Sequence, residues 1–220
     1  MKMILSILLI SLFITTACTE EGNNPTEIVD DLTVDYEGKT YNVVQIGNQF
    51  WLKENLDIGT MIRGIDAPAN NGIIEKYYYD NDSSYSDNYG GLYTWDEAMQ
   101  YSMTEGAQGI CPSGWHIPTH ADLEELQAAV NNNSNALKAI GEGSGNGAGT
   151  NSSGFSLFLA GYHTPETGGT NVAGQYTVLW SSTQFNSLRA YRLSVTDYDS
   201  IFSLYITNKD IGYSVRCVKD

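Results

Sequence analysis

The chain has 220 residues and carries 26 Asp and Glu against 11 Lys and Arg, a formal net charge of −15 at pH 7. Basic residues that are so few and so thinly spread along the chain argue against nucleic acid as a partner. The length suits one domain with a substantial core.

The first 18 residues, "MKMILSILLISLFITTAC", have the pattern of an export signal. One Lys precedes an apolar run that is too short to span a membrane. The end of this run resembles a bacterial lipoprotein cleavage site, where Cys18 is acylated and becomes the new N-terminus. The alternative is an ordinary signal peptide in which Cys18 occurs by chance. We predict a lipoprotein signal peptide at 1–17, an acylated polar tether at 18–31 and one domain at 32–220.

The tether begins "TEEGNNPTE", with Glu20 and Glu21 directly after the lipidation site. Such an acidic start resembles the signal that sends lipoproteins of some Gram-negative bacteria to the outer face of the outer membrane. We therefore predict a surface-exposed outer-membrane lipoprotein that meets the membrane through its N-terminal lipid anchor only.

The chain contains three cysteines. Acylation of Cys18 leaves Cys111 and Cys217 together in an oxidising compartment, so we predict that they form a disulfide. The bond would close a loop of roughly a hundred residues, worth about 4–5 kcal/mol in the chain-entropy model. A nucleophilic Cys111 with His116 as its base would need a free thiol. We predict no catalytic residue.

Residues 32–56 are rich in Thr, Val, Tyr and Ile, and two hairpin signals, Glu37-Gly38 and Gly47-Asn48, interrupt them. This pattern predicts β-strands. Residues 57–74 read as irregular. The stretch "KYYYDNDSSYSDNYGGLYTW" has no helical period and predicts an ordered loop.

Two or three helices are expected in the middle of the chain. Thr94 and Thr119 are each followed three residues later by an acid, which is a capping-box pattern. The first helix is predicted to continue as far as Met103, and a short third one covers Ser134 to Ile140. The glycine-rich stretch 141–154 follows no strand and lacks a phosphate-binding motif, so it predicts a flexible connection.

The rest of the chain again predicts strands. Five segments have strand length and many β-branched or aromatic residues: "FSLFLAGYH", "GQYTVLWSST", "RAYRLSV", "IFSLYIT" and "GYSVRCV". Strands first, helices in the middle and strands last indicate an α+β domain with antiparallel sheets.

Six motifs in this order carry a family resemblance: "GNQFWLKENL", "YYYDNDSSYSDNYGGLYTW", "CPSGWHIPTHADLEEL", "SSGFSLFLAGYH", "WSST" and "GYSVRCVKD". Together they closely resemble the Fibrobacter succinogenes major paralogous domain, a module of surface and secreted lipoproteins. The resemblance spans about Val34 to Asp220. It implies a single C-type-lectin-like domain, distantly similar also to formylglycine-generating enzymes. In lectin-like domains a disulfide commonly links the helical region to the last strand, which suits Cys111 and Cys217.

Formylglycine-generating enzymes use reactive cysteines, and two cysteines committed to one bridge leave none for that chemistry. The resemblance therefore implies a fold and no enzymatic activity. The lectin calcium motifs are also absent, because "WSST" lacks their carboxylate.

A cation site is the strongest local chemistry. Asp80, Asp82, Ser84 and Asp87 offer the oxygen ligands that Ca²⁺ prefers. The alternative is a polar turn whose side chains bond their own backbone. Asp197 and Asp199 are a weaker candidate for a cation site. We expect no required cofactor, with Ca²⁺ as the candidate ion.

Tyrosines in the same loop are candidates for ligand contact, since exposed rings stack on sugar or protein surfaces. The candidates are Tyr78, Tyr79, Tyr85 and Tyr89, with Tyr77 beside them; the alternative is that these rings pack in the core. We expect a non-catalytic binding or adhesion module for an extracellular glycan or protein, with loops 57–90 and 141–154 as its face. A secreted polysaccharide-active enzyme and a structural surface component are the alternatives.

Overall fold

A computed structural model describes residues 32–220; the predicted signal peptide, the lipidation site Cys18 and the tether lie outside the described residues. The described part is mostly β. Its strands are β1 Thr33–Tyr36, β2 Lys39–Ile46, β3 Gln49–Leu52, β4 Thr60–Met61, β5 Glu75–Lys76, β6 Trp115–His116, β7 Tyr162–Thr164, β8 Gly169–Asn171, β9 Tyr176–Gln184, β10 Arg189–Thr196, β11 Ser203–Asn208 and β12 Val218–Lys219.

The helices are short: α1 Ser86–Tyr89, α2 Trp95–Ala98 and α3 His120–Ala129. Single 3₁₀ turns cover Tyr79–Asn81, Ser83–Tyr85, Ser134–Ala136 and Gly145–Gly147. Over residues 32–220 there is no helix with the length and apolar character that a bilayer crossing requires.

Two antiparallel sheets form the frame of the domain. One has five strands in the order β1-β2-β3-β12-β6, and the other has three in the order β11-β10-β9. The terminal strand β12 thus lies between the N-terminal strands and β6. A short antiparallel pair, β7-β8, and a short parallel pair, β4-β5, complete the strands. Antiparallel sheets with a few short helices confirm the predicted α+β class.

The two predicted hairpin turns are confirmed. Glu37 and Gly38 both have positive φ, 49° and 77°, as a type I′ turn between β1 and β2 requires. Gly47, at φ 60°, opens the turn between β2 and β3. Residue types that tolerate the left-handed region make such turns readable from sequence.

The core combines aromatic and aliphatic side chains and encloses the last segment of the chain. Residues 213–218 are all buried, so this segment does not alternate between a core face and a solvent face. Arg216 is 1% exposed; its guanidinium donates to the Asn55 side-chain oxygen and to the carbonyl of Phe155. Burial lowers the pKa of Arg216 to about 9, which leaves it protonated at neutral pH.

The predicted disulfide is confirmed. Cys111 and Cys217 are bonded, with an S–S distance of 2.05 Å and a Cα–Cα distance of 5.9 Å, and both are fully buried. Close by, His116 lies 2.7 Å from Asp220 through Nδ1 and 3.1 Å from Asp122 through Nε2. Asp122 also completes the capping box that begins α3, as predicted. The segment from Cys111 to Asp122 is therefore a structural connection between the start of α3 and the end of the chain.

Two predicted helices are shorter than expected. Helix α2 ends at Ala98 and does not reach Met103, because Gln100 and Tyr101 adopt φ of 50° and 58°. The predicted third helix is a single 3₁₀ turn, Ser134–Ala136.

The predicted flexible connection at 141–154 is hydrogen-bonded and packed. The backbone N–H of Ser144 donates to the carbonyl of Asp197 at 2.8 Å. Gly147 approaches the same carbonyl so closely that a Cβ atom would lie 2.1 Å from it. Gly147 is therefore needed for close packing of two backbone segments, in addition to the conformational freedom that a glycine provides.

Candidate functional site

The tyrosines of the loop 77–90 divide between the core and the surface. Tyr77 and Tyr78 are 2% and 8% exposed. Burial raises the pKa of Tyr78, and the neighbouring Asp57 carboxylate raises it further. The structure therefore places Tyr78, one of the candidate ligand-binding residues, in the core, where its ring serves packing.

The other three candidates form a cluster on the surface, which we call the tyrosine cluster: Tyr79, Tyr85 and Tyr89. The Tyr85 and Tyr89 rings are parallel to within 1°, with centroids 5.8 Å apart, and Tyr79 meets them edge-on at 5.2 and 5.9 Å. Tyr85 is 37% exposed. The stacking follows from the backbone, because consecutive helical turns place residues four apart on the same face.

Side-chain and backbone hydrogen bonds hold the loop that carries the cluster. The backbone N–H of Asp80 donates to the hydroxyl of Thr170 at 2.6 Å, and the side-chain oxygen of Asn81 accepts from Gly64 at 2.7 Å. The Asn55 amide donates to the carbonyl of Tyr89 at 2.9 Å. These bonds fix both ends of the loop, so the three rings are held together before any ligand arrives.

The carboxylates of the same loop are engaged locally. The Asp82 side chain accepts from the backbone N–H of Ser84 at 2.8 Å and caps the turn at 83–85, and this bond lowers its pKa. Asp80 has a φ of 54°, and Asp87 is exposed in the first turn of α1. This is the arrangement of a polar turn. Ca²⁺ binding at these four residues stays a prediction.

The second candidate pair is likewise part of a turn. The Asp199 carboxylate accepts from the Thr196 hydroxyl and from the backbone N–H of Ile201, both at 2.9 Å. Asp197 contributes its backbone carbonyl to the loop at 141–154. Among residues 32–220, no three His, Cys, Asp or Glu side chains are grouped so that they could hold a metal ion.

A cleft of about 580 Å³ lies on another part of the domain. Residues 64–68 form one wall, and Leu188 with residues 208–210 lines another. Three acidic residues contribute to the lining, Asp66, Asp96 and Asp210, and the Asp66 carboxylate is paired with Arg63. Ile65 and Leu188 are each 74% exposed beside them. The cleft therefore combines an acidic lining with apolar groups.

One cation lines the cleft among these acidic residues. The Lys209 ammonium lies 3.6 Å from the centre of the Trp95 ring and 3.1 Å from the side-chain oxygen of Gln184. Burial lowers the pKa of Lys209. Lys209 is thus directed towards the aromatic core, while one buried oxygen of Asp96 has no hydrogen-bond partner within the described residues.

Tyr77, which lines the cleft, stacks on a buried histidine behind it. The rings of Tyr77 and His163 lie 3.6 Å apart and within 10° of parallel. His163 donates from Nε2 to the carbonyl of Gly64 at 2.9 Å, and burial lowers the pKa of its imidazole. His163 is therefore a neutral ring that holds the wall at 64–68 in place.

The acid–base groups near the cleft are tied into the fold. Glu97 is fully buried, and burial raises its pKa. Its two oxygens accept from the Tyr101 hydroxyl at 2.6 Å and from the backbone N–H of Glu75 at 3.0 Å. Cys111 is committed to its disulfide, so the nucleophile considered from the sequence is not a free thiol.

The family model described as the Fibrobacter succinogenes major domain matches residues 44–219. The chain belongs to this family. A search of curated proteins and a search of solved structures each returned no match.

This Fibrobacter succinogenes major domain includes the disulfide, the tyrosine cluster and the cleft. The sequence indicated the tyrosine cluster through its local composition. It did not indicate the cleft, because Asp66, Asp96 and Asp210 are far apart in the chain and each sits in an ordinary polar stretch. The capping-box acid at Glu97 was visible, but its burial under Tyr101 depends on the tertiary fold.

Proposed function

We propose that this protein is a surface lipoprotein whose domain binds an extracellular glycan without catalysis, through the tyrosine cluster. The observation that carries the proposal is the grouping of Tyr79, Tyr85 and Tyr89 on a loop fixed by hydrogen bonds at both ends. A protein ligand is the second candidate, favoured by the exposed Ile65 and Leu188 beside the acidic cleft.

Aromatic rings suit sugar recognition because their faces attract the apolar C–H side of a pyranose, while the phenol hydroxyl can hydrogen-bond to sugar hydroxyls. Tyrosine also has few rotatable bonds, so ordering it on binding costs little entropy. Ser, Asn and Asp alternate with the tyrosines here and supply polar contacts. Recognition loops in binding proteins have a similar composition.

A glycan-array screen of the purified chain, repeated in calcium and in chelator, tests the proposal. We expect specific signal from glycans without carboxylates, and a Tyr85→Ala/Tyr89→Ala double variant should lose it. Phe185→Ala removes an exposed aromatic outside the cluster and serves as the matched control; it should leave the signal unchanged.

The calcium and chelator conditions distinguish binding that requires Ca²⁺ from binding that does not. Signal lost in chelator supports Ca²⁺ at Asp80, Asp82, Ser84 and Asp87, and signal that survives supports stacking alone. A blank array in both conditions overturns the glycan proposal and favours a protein ligand. Turnover of a bound polysaccharide would indicate the enzyme alternative, and self-association the structural one.

We further propose a C-type-lectin-like fold and a lipid anchor at Cys18. The fold is supported by the disulfide, which joins the residues before β6 and α3 to the last strand. An experimental structure that does not superpose on lectin-like domains would overturn it. For the anchor, Cys18→Ala should move the protein from the detergent phase to the aqueous phase in Triton X-114 partition. Protease digestion of intact cells tests surface exposure.

A further inference from the structure

A second pocket lies on the face of the three-stranded sheet and has no part in the site proposed above. Its volume is about 570 Å³, and tyrosine rings dominate its lining: those of Tyr162, Tyr176, Tyr198 and Tyr213. Arg192 on β10 contributes the one guanidinium of this lining. We call this the Arg192 pocket.

Arg192 has unmet hydrogen-bonding capacity. Its Nε and Nη1 atoms are buried without a hydrogen-bond partner among residues 32–220, and no salt bridge to Arg192 occurs there. The guanidinium lies over the rings of Tyr176 and Tyr205, 5.9 and 6.0 Å from their centroids. Aromatic faces stabilise the charge, but they do not supply the in-plane acceptors that its N–H groups favour.

The position of Arg192 follows from the strand register. Arg192 is paired with Trp180 on β9 and with Tyr205 on β11, so side chains from three adjacent strands converge there. The register shifts between Ala190 and Arg192. Irregularities of this kind often re-aim a side chain beside a binding site.

The rim of the pocket contains a strained residue. Val172 has a φ of 54°, which a β-branched side chain rarely adopts. Its carbonyl accepts from the backbone N–H groups of Gln175 and Tyr176, at 3.0 and 3.1 Å. Strain of this kind is concentrated at functional sites.

We propose that the Arg192 pocket binds a carboxylated sugar, a uronic acid residue. The guanidinium matches a carboxylate in charge and in planar geometry. The tyrosine faces match the apolar side of a pyranose, and Asp197, Gln175 and Thr196 in the lining can bond its hydroxyls. A ligand with both a carboxylate and hydroxyls uses both charges of the lining, Arg192 and Asp197. The inference shares its ligand class with the proposed function but concerns a different site.

The test is calorimetric titration of the purified chain with uronate oligomers, beginning with trigalacturonate and its methyl ester. The ester keeps the sugar shape and removes the charge. We expect at least a tenfold weaker affinity for the ester. Arg192→Met should cause a similar loss, while Arg189→Met, which removes the same charge from an exposed position on the same strand, should change the affinity less than twofold.

Other variants keep the test decisive. If Arg192→Met fails to fold by circular dichroism, Arg192→Lys retains the charge but loses the planar fork, and it should still weaken binding. Tyr85→Ala/Tyr89→Ala should leave uronate binding intact, which separates this pocket from the tyrosine cluster. Equal affinity for acid and ester, full affinity in the Arg192 variants, or no binding of galacturonate, glucuronate or guluronate oligomers would each overturn the proposal.

Discussion

Replacement of Asp57 by Asn should destabilise the domain strongly, because it leaves a buried lysine without its counter-charge. The Asp57 carboxylate accepts from the ammonium groups of both Lys39 and Lys76. The Asp57 and Lys76 side chains are each only 5% exposed, whereas that of Lys39 is 39% exposed. Breaking a buried ion pair on one side costs about 3–5 kcal/mol, since the remaining charge stays desolvated. We expect a loss of this size in the free energy of unfolding, measured by urea denaturation at pH 7.

Lys39→Met is the matched control, since it removes the more exposed of the two partners of the same carboxylate. Its cost should be no more than about 1 kcal/mol. The double variant Asp57→Asn/Lys76→Met removes both buried charges and should recover much of the loss. If the double variant is as unstable as Asp57→Asn alone, or if Lys39→Met costs as much, the unpaired buried charge is not the cause and the reasoning fails.

The same carboxylate predicts acid sensitivity. Burial alone would raise the pKa of Asp57, but the hydrogen bonds from Lys39 and Lys76 outweigh it and lower the pKa below the ordinary 3.8. A lowered pKa in the folded state means that the stabilisation is fully present above the unfolded-state value. It is lost as the pH falls towards the folded-state pKa. The acid limb of the stability curve should therefore be shallower in Asp57→Asn.

Three further outcomes follow from the structure. The Cys111–Cys217 bond has a sequence separation of 106, so its reduction should lower the free energy of unfolding by about 4–5 kcal/mol. Urea unfolding with and without reductant measures this difference. A difference below about 1 kcal/mol would contradict the loop-closure argument. Hydrogen bonds to two carboxylates raise the pKa of His116 above 6.5. The stabilisation that His116 contributes is therefore fully present below pH 6.5 and is lost as the pH rises through the folded-state pKa. In His116→Gln the melting temperature should depend less on pH between about 6.5 and 9, and an unchanged slope would refute this. Gly147→Ala should lower the melting temperature, because the new methyl group would lie 2.1 Å from the carbonyl of Asp197; an unchanged value would show that this loop relaxes freely.

Features encoded by local chemistry were predictable from the sequence. The turn at Glu37-Gly38 was predictable because few residues adopt positive φ easily, and the start of α3 because Thr119 and Asp122 satisfy each other's backbone groups. The disulfide required only a count of cysteines and a compartment. Each of these predictions depends on a few neighbouring residues or on a single constraint, and each is confirmed.

Features that depend on tertiary contacts were not predictable in the same way. Helix α2 has the start signal at Thr94 and an apolar pattern that continues to Met103, yet it ends at Ala98. Tyr101 leaves the helical conformation, with φ 58°, and its hydroxyl donates to the buried Glu97. Met103 is 55% exposed, so the apolar pattern that predicted a longer helix does not mark a buried face here. Tertiary contacts override helix propensity in this segment.

The loop 77–90 shows how far composition alone can predict the role of each tyrosine. Composition alone left core packing and ligand contact as alternatives for every ring, and the structure assigns Tyr77 and Tyr78 to the core. Tyr85 and Tyr89 are four residues apart, the spacing of neighbours on one helical face, but residues this rich in Asp, Asn and Ser gave no reason to expect a helical turn. Asp82 resolves this conflict by capping the preceding turn. Asp82, one of the polar side chains that argued against a helix, therefore starts the turn that leads into α1.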